Sequence, residues 1–512
     1  MEMKKTLIAV LLALILLIAG MIWIVTQYHI IDLKLYPKNA QQLDLRGKEI
    51  TVEHYSAIRE KLPQTEILWD VPFQGSVYPH DSKTLTVFSL SEQDVADLDH
   101  FTWLETLEAS TCRDYTQLLA LQQRRPELNI RFTLELGGKT FTPDTREVSL
   151  NTVATEEIPL LPLLRKLETV TVSAGETMDN LPALQQYCHD QGYAFQVSFG
   201  GTAVSDREDT VTIENITTEE LFLLELLPEL TQLELIAPKT PAENLLALEE
   251  VFPKATILWS QEIGGKLIPH TETLIDISGT EVTDLEAIAQ SMTYFPNATQ
   301  LEMHNCGVDN ESMAAFREAH RAEYKVVWTV MLGPKLPTRT DTTSIMPARD
   351  GTSNFHDEEA YNMRYCEDVI AVDVGHLDVR NVEWAAFMPH LKYLILAWTG
   401  VRDLTPLSSC KELVWLEIDY SPVTDTTPLI SCTALEDINI GKSSVSANGL
   451  SQMPWLKNVW AIGNPRAGSQ VAMACPDTRV VTSGTHSVGS GWRHLPNYYA
   501  MRDALNMFYM DQ

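Results

Sequence analysis

The run Gly137-Gly138-Lys139-Thr140 is a candidate for phosphate chemistry, because a glycine loop followed by lysine and a hydroxyl can cradle a phosphate. The complete loop needs a further glycine where Thr133 stands, so the pattern fails. The 13 histidines include no HExxH pair, and His304-Asn305-Cys306 reads as a turn after a strand, not as a metal ligand set. Seven cysteines, at 112, 188, 306, 366, 410, 432 and 475, form no CxxC pair, which points away from a zinc ribbon or a disulfide framework. No GxSxG or activated thiol appears, and the acidic residues read as solvated faces. The expectation is a chain that is not an enzyme, with no catalytic, cofactor-binding or metal-binding residue to assign and no cofactor.

Repetition explains the glycine run. The segment from Tyr55, YSAIREKLPQTEILWDVPFQG, returns from Leu118, Leu181 and Leu245, and more loosely from Met313. Its aromatic recurs as Trp69, Phe132, Phe195, Trp259 and Trp328, in steps of 63, 63, 64 and 69 residues. Each copy runs from apolar residues at helical spacing, through a break, into an alternating strand and a glycine turn where positive φ is cheap. A second strand-like piece, at Leu104, Leu167, Leu230 and Ala298, keeps phase with it. One cassette of about 63 residues thus holds roughly three strand-plus-helix coils.

The unit is plainest from Val369, with 22-residue copies beginning at Val369, Leu391 and Leu413 and a further copy at Leu435. Their LxxLxL strand and downstream D-L-T-P-L or T-T-P-L step resemble bacterial leucine-rich-repeat proteins of the internalin type. The resemblance implies an α/β solenoid: a curved parallel sheet, with helices or short coils on the convex side, stacked on a core of Leu391, Leu394, Leu396, Leu404 and Leu407. Thr399, Ser421 and Ser443 replace the family's usual asparagine after the strand. Internalins bind host receptors, but shared repeats do not carry that specificity over. Cys410 and Cys432 hold equivalent places in adjacent coils, a separation that permits a disulfide, although buried thiols are the reading that fits a core position.

With the leucines inward, period-two alternation turns Tyr393, Ile395, Trp415, Glu417, Asp419, Asp437, Asn439, Asn458 and Trp460 outward onto the concave sheet. Aromatics among acids and amides suit recognition, because indole and phenol rings offer a large contact at low entropic cost. These nine residues are the expected partner-binding face. The recurring Trp69 to Trp328 series, several coils apart, is expected to fill the core.

At the other end, Lys4 and Lys5 precede an uncharged run from Thr6 to Thr26, long enough to span about 30 Å of hydrocarbon. An uncleaved signal anchor is expected, with the N-terminus cytoplasmic and the bulk of the chain extracytoplasmic; a cleaved leader is the alternative. The net charge, 38 basic against 69 acidic residues or −31, would repel nucleic acid. The expected organisation is an anchor over 1–28, divergent cassettes over 29–337, a linker over 338–368, regular repeats over 369–465 and a cap over 466–512, with the glycine-rich run near 485 as a loop into the cap. The expected function is binding of a protein or glycan at a bacterial cell surface. The alternative is a structural spacer of the envelope that presents its C-terminal cap.

Overall fold

A computed structural model describes residues 2–175, 180–349, 355–484 and 491–507. Parts of the expected linker (350–354), of the glycine-rich run (485–490) and of the expected cap (508–512) lie outside the described residues. Two compact units divide the chain: Met1–Leu235 with Ala247–Ile257, and Ile236–Leu246 with Leu258–Gln512.

The first unit begins with the helix Glu2–Gln27. Its stretch Met3–Gln27 is long and apolar enough to cross a membrane, and none of its most apolar window is buried in the protein. A hairpin of Tyr28–Ile31 with Lys34–Pro37 follows. His54 ties this hairpin to the first repeat: its ring lies between the Asp32 carboxylate and the Tyr36 hydroxyl, the latter at 2.6 Å.

Short parallel strands then pair in register, as the alternation requires. Leu85, Leu107 and Ile130 stand abreast in Thr84–Thr86, Thr106–Glu108 and Asn129–Arg131, all buried, while Thr84, Thr86, Asn129 and Arg131 face solvent. Val148, Val170 and Phe195 repeat the arrangement one cassette later. Helices such as Tyr115–Arg124 bury one stripe, Leu118 and Leu121, against these strands. The glycine pairs close antiparallel hairpins, Leu134–Leu136 with Lys139–Phe141 among them, at positive φ on Gly137 (53°) and Gly138 (71°). The Gly137 run is therefore a hairpin turn. Trp69, Phe132, Phe195, Trp259 and Trp328 are all buried, as expected of core filling.

The second unit holds a seven-stranded sheet in sequence order: Ser344–Ile345, Ala371–Asp373, Tyr393–Ile395, Trp415–Glu417, Asp437–Asn439, Asn458–Trp460 and Arg479–Val481. All neighbours are parallel. Val372, Leu394, Leu416, Ile438 and Val459 point into the core, each 0% exposed. Behind the strands run 3-10 helices, including Thr405–Ser409 and Thr427–Ser431, whose prolines sit where no backbone donor is needed. Asp403 and Asp425 accept from the first amides of these helices at 2.8 and 2.9 Å. The chain has the leucine-rich-repeat solenoid fold. Part of the expected linker is regular structure: Pro337–Arg339 closes a hairpin and Ser344–Ile345 is the sheet's first strand.

Hydroxyls take the place of the missing asparagines. Thr399 and Ser421 both donate to the Leu396 carbonyl, at 2.7 and 2.6 Å, and Ser443 donates to that of Ile440 at 2.6 Å. Cys410 and Cys432 are free thiols that donate to the carbonyls of Ala385 and Leu407 in the preceding coil, at 3.3 and 3.1 Å. Burial pushes the Cys410 thiol up to about 12, so it is no nucleophile.

The hairpin glycines make a direct test. A Cβ on Gly137 would stand 2.2 Å from the Thr152 carbonyl oxygen, whereas one on Gly138 would meet nothing within 4 Å. Gly138→Ala should therefore cost about 1 kcal/mol of unfolding free energy, from left-handed strain alone. Gly137→Ala should cost about 2–4 kcal/mol, because the clash adds to the strain. Denaturant unfolding of the two variants checks the order.

Candidate functional site

The strand register arranges the outward side chains of the C-terminal sheet in two rows. Tyr393, Trp415, Asp437 and Asn458 stand abreast in one. Asp373, Ile395, Glu417, Asn439 and Trp460 form the other. Eight of the nine residues read as a binding face thus fall into two adjoining rows, and Asp419 follows two residues beyond Glu417 on the same face.

Their exposure is not what alternation implies. Trp415 and Trp460 are 0% exposed, Asp437 and Asn439 2%, and Ile395 and Asp419 8%, while Tyr393, Glu417 and Asn458 are partly buried. The cover is the chain's own C-terminal segment, so the reading of an open face is corrected here. Trp492, in the 3-10 helix Trp492–His494, lies 4.0 Å from Trp415 and 5.3 Å from Trp460, ring centre to ring centre. The helix Pro496–Ala504 brings Leu495, Met501 and Leu505 into the same cluster, and Tyr498 and Ala504 against it. Expected to cap the end of the repeats, the described part of the segment lies instead along the sheet face.

Polar contacts fix the segment's position. The Trp492 and Trp415 indoles both donate to Glu417 Oε1, at 3.0 and 3.2 Å. Asn497 donates to Glu436 Oε2 at 3.0 Å and to Asp437 Oδ2 at 2.8 Å, while Asn458 donates to Asp437 Oδ1 at 2.6 Å. Asp373 pairs with Arg349 and accepts from the Gly375 amide at 3.0 Å. Burial, then the nearby Asp419 charge, raises the Glu417 carboxyl from 4.5 to about 7, against the pull of the Trp492 indole. Burial also raises Asp437, although the Asn458 and Asn497 amides oppose it.

Among the described residues, two donors under this cover, Trp460 Nε1 and Asn439 Nδ2, have no hydrogen-bond partner. Each unmet buried donor costs about 1–3 kcal/mol. Asn439 does satisfy its oxygen, which accepts from the Gly441 amide at 3.0 Å.

The reading of the sequence missed Trp492, Asn497 and Tyr498, and a rim of rings beside the strands. That rim comprises His376, Trp398 and Tyr420, all at positive φ, with Trp398 and Tyr420 stacked at 3.8 Å. Their 22-residue spacing was the available signal. Elsewhere, His304 lies between Thr329 and Arg339, and among the described residues no group of three His, Cys, Asp or Glu could hold a metal ion. The geometry can hold a peptide through rings and hydrogen bonds.

No protein-family model matches the chain, and no curated protein matches it. Solved structures similar to it include an internalin (inlF) from Listeria monocytogenes, 12% identical over 85% of this chain and 90% of that one, with a TM-score of 0.23. Internalin C2 from the same species is 14% identical over 44% of this chain and 88% of its own, with a TM-score of 0.21. A leucine-rich-repeat protein of Leptospira interrogans is 11% identical over 87% and 84%, with a TM-score of 0.20.

Trp415→Ala should destabilise the second unit by about 3–5 kcal/mol, because the ring is core and not surface; thermal or denaturant unfolding reads it. Glu417 holds its proton more tightly in the covered state than a free carboxyl does. The resulting stability is therefore complete below the ordinary carboxyl range and is lost as pH rises through about 7. Denaturant unfolding should show a decline on the order of 2–3 kcal/mol between pH 4 and pH 8, largely absent in Glu417→Gln.

Proposed function

We propose that this chain is a binding protein of a bacterial cell surface, held to the membrane by its N-terminal helix, and that the sheet face around Tyr393, Trp415 and Trp460 recognises a protein partner. One observation carries the reading: that face already holds a peptide, the chain's own, through aromatic anchors and side-chain hydrogen bonds. Such anchors are the usual means by which a protein surface grips a partner. The equivalent positions of the first unit carry Thr84, Thr86, Thr106 and Glu108, so the aromatic character is particular to these coils and not a demand of the fold.

The anchor rests on the helix itself. Its uncharged run from Thr6 to Thr26 is predominantly apolar and its most apolar window is unburied, a surface that lipid covers at no cost and water does not. The paired lysines before it favour a cytoplasmic N-terminus, which leaves the repeats outside. Against the alternative of a spacer presenting its cap, Trp492, Leu495, Met501 and Leu505 are buried on the sheet and not held out for another molecule.

Site-specific photocross-linking tests the reading. A benzophenone amino acid replaces Tyr393 in the full chain held in lipid nanodiscs, and Val77, exposed in the first unit, serves as the control position. With surface material of the producing cells, the probe at 393 should yield an adduct with a second polypeptide that the control does not. Pre-treatment of the material with protease should abolish it. An adduct that survives protease but not periodate would mean a glycan ligand; no adduct beyond the control would contradict the binding role.

A further inference from the structure

The aromatic face is a second, separate core. The main hydrophobic cluster of the second unit, from Ile263 to Val471, contains no residue of the C-terminal segment. Trp492, Leu495, Met501 and Leu505 close a smaller cluster with Ala371, Ile395, Ala397, Trp415 and Trp460 on the opposite side of the sheet. The leucines of the coils are therefore buried whether or not the segment is in place. A segment that adds to a finished body, and does not complete it, has the energetics of a ligand tethered to its site.

The fit is also incomplete. Trp460 Nε1 and Asn439 Nδ2 stand abreast on neighbouring strands, each on a residue 2% exposed or less, and the segment gives neither an acceptor. It gives donors to three carboxylates, the Trp492 indole to Glu417 and the Asn497 amide to Asp437 and Glu436. The occupant of this face that best meets every group would keep those donors and add acceptors. With Glu417, Asp419 and Asp437 on the same face, such acceptors must be uncharged, because a carboxylate there would meet like charge in a dry site.

We propose that the segment Trp492–Leu505 is a built-in competitor for the sheet face, displaced by a protein partner whose own segment presents an aromatic anchor and uncharged acceptors, carbonyl or carboxamide, to Trp460 and Asn439. The proposal rests on the binding role given above and adds its regulation. In the absence of partner the face is closed; a partner binds by as much as its contacts exceed those of the segment.

The experiment needs no partner, so its failure and that of the binding role are separable. The probe is a fluorescein-labelled synthetic peptide of residues 491–507, titrated in nanodiscs against the full chain and against a chain ended at Gly484. The shortened chain should retain a cooperative melt and bind the peptide one to one, with the full chain at least about tenfold weaker. A peptide with Trp492→Ala should lose about tenfold or more. Trp460→Phe in the shortened chain removes one unmet donor and should tighten binding of the unaltered peptide several-fold, which a merely structural role of the indole would not do. Failure of a folded shortened chain to bind, equal binding by the two chains, or loss of the cooperative melt on shortening would each overturn the proposal. Segment exchange between two full chains, seen as a dimer in nanodisc mass measurements, would overturn it in favour of self-association. Weaker or unchanged binding in Trp460→Phe would overturn the requirement for acceptors.

Discussion

A coil of 22 residues cannot bury its own leucines. It has one short strand and a few residues of 3-10 helix, and the aliphatic side chains between them gain cover only when another coil stacks on each side. Parallel strand pairing makes that stacking exact in register: Leu394 lies over Leu416, Leu416 over Ile438, Ile438 over Val459. Everything else in the C-terminal sheet follows, because a register that aligns the inward side chains also aligns the outward ones. The rows of rings and acids, the hydroxyl ladder of Thr399 and Ser421, and the paired thiols of Cys410 and Cys432 are consequences of one translation repeated.

This is why the repeats were legible. Period-two strands and a 22-residue step are local signals, and so are the glycine pairs at the hairpins, where Gly137, Gly138, Gly200 and Gly201 take the positive φ that their sequence suggests. The direction of Trp415, Glu417 and Trp460 off the sheet was legible for the same reason. Their burial was not. Trp492 meets Glu417 across 75 residues of chain, a contact that no periodicity announces, and the segment's helical spacing is equally that of an end cap. A signal did exist in the contrast between coils, since the rows carry Thr, Asn and Arg where Thr84, Thr106, Asn129 and Arg131 stand but Trp, Tyr and Ile in the later coils. A strand that turns apolar on both of its faces needs a second cover.

Closing that face has chemical consequences. Water leaves the carboxylates, so Glu417 rises to about 7 and Asp437 rises with it, both accepting from neutral indole and carboxamide donors. Asp373 is paired with an arginine, Arg349. A further carboxylate brought in by an occupant would disturb this balance, whereas an indole and a carboxamide preserve it. The same dryness makes the unmet donors of Trp460 and Asn439 costly, so the closed face is stable without being optimal.

The central claim, that the C-terminal segment covers the sheet face in the resting protein, is tested most directly by native-state amide hydrogen exchange of the full chain in nanodiscs. The amides of Met501 to Leu505 should be protected well beyond an unstructured peptide, if less than those of the strand Asn458–Trp460 beneath them. Exchange of that segment at the rate of a free peptide, with the strand still protected, would show the face to be open and contradict the account.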